Sequence, residues 1–175
     1  GFQTVAYNDW RPIGWLVMIV LMLIGGGVGS TAGGIKQYRV FMLFKSVLWE
    51  VRRALLPRTA VVENYVWLGE RQSFITEEQM RRIGTFVFLY LATFLIGAGI
   101  IAAHGYGLKE SLFEYASALG TVGLSVGITG PDVPPTILWS QIVGMFLGRL
   151  EFFVVIISAI KIWRDLGSLT RRIRS

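Results

Sequence analysis

Cysteine is absent from the 175-residue chain, and His104 is its single histidine. Disulfides and thiolate metal sites are therefore excluded, and so is a zinc cluster built from histidines or mixed ligands. One peripheral histidine also leaves no set of nucleophile, base and acid for catalysis. The sequence therefore predicts a protein that is not an enzyme and needs no covalent cofactor.

Charge is scarce as well. Only 16% of the residues are charged and 53% are hydrophobic, whereas a soluble domain carries about 25% charged residues. Residues 83–103 are free of charge and would span about 31 Å as a helix, against a hydrocarbon core of about 30 Å. A second run, 136–163, is apolar apart from Arg149, Glu151 and Lys161. These runs predict a membrane protein in contact with the lipid bilayer.

The basic residues fall in two stretches. Residues 36–82 hold nine and residues 161–174 hold five, whereas 104–135 holds only Lys109. This asymmetry is typical of cytoplasmic loops, so binding of nucleic acid is not expected. The predicted topology comprises an outer segment 1–11, an interrupted crossing 12–48, a cytoplasmic connection 49–82, a crossing 83–103, an outer segment 104–136, a crossing 137–163 and a basic cytoplasmic tail 164–175.

The outer segment contains a short helix and a glycine-containing stretch. In "LKESLFEYASAL", 108–119, the apolar residues Leu108, Leu112 and Phe113 can share one helical face. The helix is too short to cross the bilayer and leads into "GTVGLSVG". This order predicts a re-entrant pore loop, because irregular backbone at membrane depth must be buried in protein or face water.

The stretch "TVGLS", 121–125, shares its first three residues with the potassium-channel filter TVGYG. Backbone carbonyls can replace the water shell of a potassium ion, and Gly123 can adopt the positive φ that directs them to one axis. The negative end of the 108–119 helix dipole would favour a cation there. The alternative is an ordinary glycine turn in an extracellular loop.

On the cytoplasmic side, two smaller signals are present. The sequence around Gly69 and Glu70 predicts two short strands. "TEEQ", 76–79, predicts a capping box at the start of the helix that leads into the 83–103 crossing.

Three motifs together are similar to the Trk/Ktr/HKT superfamily of potassium transporters, in particular the TrkH/KtrB type. They are "GGGVGSTAGGIK" followed by a basic helix ending "LLPR", then "SALGTVGLSVGITG", and finally "MFLGRLE". The resemblance implies an all-α membrane protein of four helix–pore loop–helix repeats around one pore. This chain would hold the end of the third repeat and, at 83–163, the fourth. Because it begins at Gly1 without a leader pattern, we expect it to be a fragment that lacks the first two repeats.

The resemblance also implies the site residues. Potassium would be bound by the backbone carbonyls of Gly1, Thr121, Val122 and Gly123. The two filter quarters would comprise Gly1, Phe2, Gln3, Thr4, Gly120, Thr121, Val122, Gly123 and Leu124. A gate loop at 25–34 would lie across the pore below the filter, with gate residues Gly25, Gly26, Gly27, Gly29, Ser30, Thr31, Gly33, Gly34, Lys36 and Arg149. The alternative for the glycines is close helix packing, which we expect to explain one or two of the six.

Two basic residues accompany the predicted gate. Arg149 lies halfway along an apolar run, where a cation costs about 2.5–3.5 kcal/mol on insertion scales, and the resemblance implies that it approaches the gate loop. Pairing with Glu151 is the alternative, although residues two apart do not share a helix face. Lys36 is either a second cation beside the pore or an interfacial anchor.

The resemblance implies potassium uptake across the cell membrane by a multi-pass protein, with potassium as the substrate. It further implies a homodimer and a cytosolic nucleotide-binding regulatory subunit. The alternative is a non-conducting membrane scaffold or remnant. A small channel assembled from several chains is a third reading, but the dissimilar stretches "GFQTV" and "GTVGLSV" argue against it.

Overall fold

The computed structural model describes residues 7, 10–57, 65–68, 71–149, 158 and 161–164. Within these ranges the chain forms five α-helices and one two-stranded hairpin. The elements are α1 (Pro12–Ile24), α2 (Gln37–Leu55), β1 (Tyr65–Leu68), β2 (Arg71–Phe74), α3 (Glu77–Ala103), α4 (Leu108–Leu119) and α5 (Pro135–Arg149).

Helix α3 is the long apolar element. Its N-terminus carries the predicted capping box: the Thr76 hydroxyl accepts from the amide of Gln79, whose side chain accepts from the Thr76 amide. Among the described residues, α3 is the one helix long and apolar enough to cross a membrane, while α1 is apolar but shorter. The two hydrogen bonds between Thr76 and Gln79 confirm the capping box predicted from "TEEQ".

The predicted strands are also confirmed. β1 and β2 pair antiparallel, with Tyr65 opposite Phe74 and their ring centroids 4.5 Å apart. The hairpin is the one β element in the described part of the chain, and it lies between α2 and α3.

Helix α4 lies at the centre of the packing, because it contacts α1, α3 and α5. Its side chains Phe113, Tyr115 and Leu119 are buried. The contacts on either side require glycine: a Cβ on Gly97 of α3 would collide with the Tyr115 ring, and one on Gly148 of α5 with the Leu119 carbonyl oxygen. Small residues that admit close approach are typical of helix packing in membranes.

The bounds of α4 match the stretch whose apolar periodicity predicted it, 108–119. The chain is also non-helical where the glycines are densest, since α1 ends at Ile24 and α2 begins at Gln37. These two irregular regions, one after α1 and one after α4, contain most of the predicted gate and filter residues.

Candidate functional site

Residues 25–36, which we name the glycine segment, are closed at their base by backbone hydrogen bonds. The amide of Ile35 donates to the Leu23 carbonyl at 2.9 Å, and that of Lys36 donates to the Ile24 carbonyl at 2.8 Å. Gly25 and Gly34 both have positive φ, and a Cβ on Gly34 would lie 2.7 Å from the Gly25 Cα. The two ends of the segment therefore touch, and only glycine fits there.

The tip of the segment, residues 28–32, is exposed. The Lys36 ammonium donates to the carbonyls of Ser30, at 2.9 Å, and Ala32, and it lies 3.3 Å from the Ser30 hydroxyl. The Lys36 side chain thus binds the tip of its own segment. A position of Lys36 beside a pore and a role as an interfacial anchor both stay predictions.

Close contacts with neighbouring atoms explain more of the six glycines than the one or two expected from the sequence. Four of them would bring a Cβ against neighbouring atoms: Gly25, Gly26, Gly33 and Gly34. At Gly27 and Gly29 a Cβ would meet nothing within 4 Å. The contacts of the four lie within the segment, at the Ile24 carbonyl that ends α1, or at Gly120 and Thr121 after α4, so they are not contacts between the sides of packed helices.

The second irregular region follows α4, and its first part, residues 120–124, is named the TVG segment. Just beyond the end of α4, the Val122 amide donates a hydrogen bond to the Ser117 carbonyl at 2.9 Å. Gly123 is exposed with φ +85°, and Thr121 also has positive φ, at +52°. The left-handed conformation expected at Gly123 is present. That of Thr121 was not expected, because residues with a Cβ seldom adopt it.

The glycine segment, the TVG segment and α5 meet at one oxygen atom. The Thr121 hydroxyl accepts from the Gly33 amide at 3.1 Å and from Arg149 Nε at 3.2 Å. A Cβ on Gly33 would lie 2.8 Å from the Gly120 carbonyl oxygen, so this approach also needs glycine. The structure thus brings together residues from the predicted gate, the predicted filter and the predicted arginine.

One buried acidic residue was missed by sequence reasoning. Glu114 of α4 is 3% exposed, and its carboxylate accepts hydrogen bonds from Ser125, Val126 and Thr129, just beyond the predicted filter. A signal for it was present, since the predicted re-entrant loop would carry Glu114 to membrane depth, where an ionisable residue is a functional candidate by default. Its partners lie 11 to 15 residues away, so the sequence could not identify them.

Some predicted residues are not placed. Gly1, Phe2, Gln3 and Thr4, as well as Glu151, lie outside the described residues. In the described ranges no group of three or more histidine, cysteine or acidic side chains could hold a metal ion. Residues 121–123 themselves offer backbone carbonyls and the Thr121 hydroxyl, and backbone carbonyls are the ligands of potassium in channel filters.

Comparison with known proteins decides the family. The family model TrkH, described as a cation transport protein, matches residues 1–165. The chain belongs to this family. The TrkH match covers both irregular regions and all five described helices. It identifies the chain as part of a Trk/Ktr-type membrane protein with an all-α transporter fold.

Individual relatives of this TrkH-family chain are named as cation or potassium transport proteins. An uncharacterized cation transporter of Methanocaldococcus jannaschii is 29% identical over 157 residues, and the Trk system potassium uptake protein TrkG of Escherichia coli is 29% identical over 163. Each match covers 90% of this chain and 32% of the relative. The crystal structure of the potassium transporter TrkH from Vibrio parahaemolyticus superposes with a TM-score of 0.73 at 28% identity, covering 90% of this chain and 33% of that one. The chain thus spans about a third of the length of its relatives.

Proposed function

We propose that this chain is part of a potassium uptake protein in which the TVG segment contributes to a selectivity filter and the glycine segment to a gate. The observation that carries the proposal is the junction at Thr121, where a hydroxyl of the filter candidate accepts from both the gate candidate and Arg149. Membership of the TrkH family supports a cation as the substrate, and the potassium uptake proteins among its relatives support potassium.

The proposed filter works through backbone carbonyls. Those of Thr121, Val122 and Gly123, with that of Gly1 in the third repeat, would replace part of the hydration shell of potassium. The C-terminus of α4 precedes this stretch directly, so its partial negative charge favours a cation. Gly120 and Leu124, and likewise Phe2, Gln3 and Thr4, flank these carbonyls along the chain.

The proposed gate is the exposed tip of the glycine segment. Its base is closed by bonds to the end of α1, whereas the tip of residues 28–32 is exposed and is bound through Lys36. Movement of the tip would open the path without unwinding either helix, as lid loops do in other proteins. Arg149 places a positive charge beside Thr121, which opposes passage of a cation until the arrangement changes.

The proposed architecture extends beyond the described residues. Residues 12–48 would be an interrupted membrane crossing with an intramembrane loop, and 83–163 would be a helix–pore loop–helix repeat. Residues 1–11 would end the third pore loop, 49–82 would be cytoplasmic, and 164–175 a basic tail. In this proposal the full protein is a multi-pass homodimer of the cell membrane that contains two further repeats. Its basic cytoplasmic surface would bind a nucleotide-sensing subunit.

The experiment is rubidium uptake by the full-length protein carrying this segment, in cells that lack other potassium uptake. Gly123→Ser is expected to lower the preference for rubidium over sodium, because serine strains the left-handed conformation at φ +85°. Gly99→Ser is the matched control, since a Cβ there meets nothing within 4 Å. We expect the control to transport normally.

Two results would contradict parts of the proposal. Unchanged selectivity in Gly123→Ser, at normal abundance in the membrane, would remove Gly123 from the filter. Absence of rubidium uptake by the unmodified protein would instead favour the non-conducting scaffold.

A further inference from the structure

Glu114 makes a dense set of hydrogen bonds for a side chain that is almost fully buried. Its Oε1 accepts from the Ser125 hydroxyl at 2.7 Å and from the Thr129 amide at 3.2 Å, and also from the Thr129 hydroxyl. Its Oε2 accepts from the Val126 amide at 2.9 Å. All the donors come from residues 125–129, which we name the post-filter loop. One side chain of α4 therefore holds this loop.

These donors suit an ionised carboxylate. Backbone amides can only donate, and a carboxylate can only accept, so each pairing is complementary. Within the described ranges, no lysine or arginine forms a salt bridge with Glu114. The charge is therefore stabilised by hydrogen bonds to the loop instead of by a basic side chain.

The network continues into α5. Gln141 is 5% exposed, and its amide nitrogen donates to the Thr129 hydroxyl oxygen at 3.0 Å. The same hydroxyl donates to Glu114. The post-filter loop is thus bound on one side by α4 and on the other by α5.

The post-filter loop follows the proposed filter almost directly, so the hydrogen bonds that hold the loop also restrict the filter. The filter carbonyls at 121–123 are fixed at their start by the bonds of Thr121 and Val122. Ser125 and Val126 follow them almost immediately and are fixed by Glu114. The short stretch between has little freedom to change its carbonyl spacing, which is the quantity that a filter must control.

We propose that Glu114 is a positioning residue for ion selection, which holds the end of the filter through Ser125, Val126 and Thr129. This inference rests on the proposed function. The carboxylate acts through the loop and does not bind the ion.

Glu114→Gln in the full-length protein tests the inference with little change in volume. A carboxamide presents one acceptor and one NH₂ group. In one orientation the NH₂ group faces the Val126 amide, and in the other it faces the Thr129 amide. Either way a partly buried backbone donor loses its acceptor, and we expect preference for rubidium over sodium to fall about tenfold. The measurement compares the sodium and potassium concentrations that halve rubidium uptake.

Ser111→Ala is the matched control. Ser111 is also buried in α4, but its hydroxyl donates to the Gly107 carbonyl within the same helix and does not reach the loop. We expect it to retain the selectivity of the unmodified protein. A merely structural role for Glu114 would lower uptake in proportion to the amount of protein in the membrane and leave the selectivity ratio unchanged.

Ser125→Ala and Thr129→Val remove donors from the loop side and provide the answer if Glu114→Gln does not reach the membrane. Lower selectivity in these variants would support the inference, and Glu114→Asp should lose less than Glu114→Gln. Normal selectivity in Glu114→Gln, or in both loop variants where Glu114→Gln is absent, would overturn it. In each of those outcomes the unmodified protein still transports rubidium, so the proposed function would stand.

Discussion

The glycine segment and the TVG segment are both irregular, and each follows an α-helix, but they are held in different ways. The glycine segment is closed by backbone bonds onto the end of its own helix α1, with Lys36 on its tip. The TVG segment and the loop after it are held by side chains from other elements, namely Glu114, Gln141 and Arg149.

This difference separates the two proposed roles. A segment bound mainly to itself can move as a unit without disturbing the surrounding helices. A segment bound by several side chains of packed helices keeps its carbonyls in place, as ion selection requires. The two regions share one described hydrogen bond, from the Gly33 amide to Thr121. Variants can therefore alter one region and leave the other intact.

Deleting residues 28–32 should give the largest effect. The deletion removes the exposed tip that would obstruct the pore, and it retains the glycines that close the base. We expect rubidium uptake to rise at least about tenfold, which corresponds to lowering the barrier by about 1.4 kcal/mol. Initial rates of rubidium uptake, normalised to the protein in the membrane, measure it.

Val47→Ser on α2 is the control for that deletion, because Val47 is 61% exposed and lies outside the glycine segment. Its uptake should equal that of the unmodified protein. Unaltered or reduced uptake in the deletion variant, at normal abundance, would count against a gating role.

Thr121→Val should give an intermediate effect. Valine has a similar shape but cannot accept the hydrogen bonds from the Gly33 amide and Arg149. Losing about 1 kcal/mol from the closed arrangement should raise uptake about fivefold. Selectivity should fall less than in Glu114→Gln, because the Val122 amide and Glu114 still hold the two ends of the stretch. Rubidium uptake with and without competing sodium separates these quantities.

Thr121→Ser keeps the accepting oxygen and should transport normally, whereas Arg149→Ala removes one of the two donors and should change uptake in the same direction as Thr121→Val. If valine and serine at position 121 gave equal uptake, the junction would have no part in gating.

Lys36→Gln should give the smallest effect. The substitution removes the ammonium that binds the Ser30 and Ala32 carbonyls, but these contacts are exposed, and exposed contacts of this kind contribute about 0.2–1 kcal/mol. We expect uptake to rise about twofold. Lys45→Gln is a control on α2, the helix that follows Lys36, with no expected change. A rise well above tenfold would instead indicate that Lys36 acts as a charged barrier in the pore.

Local sequence signals predicted several elements of the fold. Apolar periodicity gave the bounds of α4, "TEEQ" gave the capping box of α3, and the run of glycines gave the break after α1. Each signal lies within the element that it predicts, so short-range physics is sufficient. Residues 1–4, predicted as the other filter quarter, lie outside the described residues and remain a prediction.

The junctions could not be predicted in the same way. Gly33 and Thr121 are 88 residues apart, and only the packing of α4 against α1 and α5 brings them together. The positive φ of Thr121 runs against the preference of its residue type. The sequence did not identify the role of Glu114, because its hydrogen-bond donors come from residues 125–129, beyond the end of α4. Tertiary packing decides all three.

In the proposed gate, the one described hydrogen bond between the two segments, from the Gly33 amide to Thr121, sets the size of the signal that would open it. A net gain of about 0.5–1.5 kcal/mol from such a link biases the closed population by roughly tenfold at most. An allosteric coupling energy of about 1–3 kcal/mol between distant sites is common. A modest preference of any bound regulator for the open form would therefore suffice to reverse the resting balance.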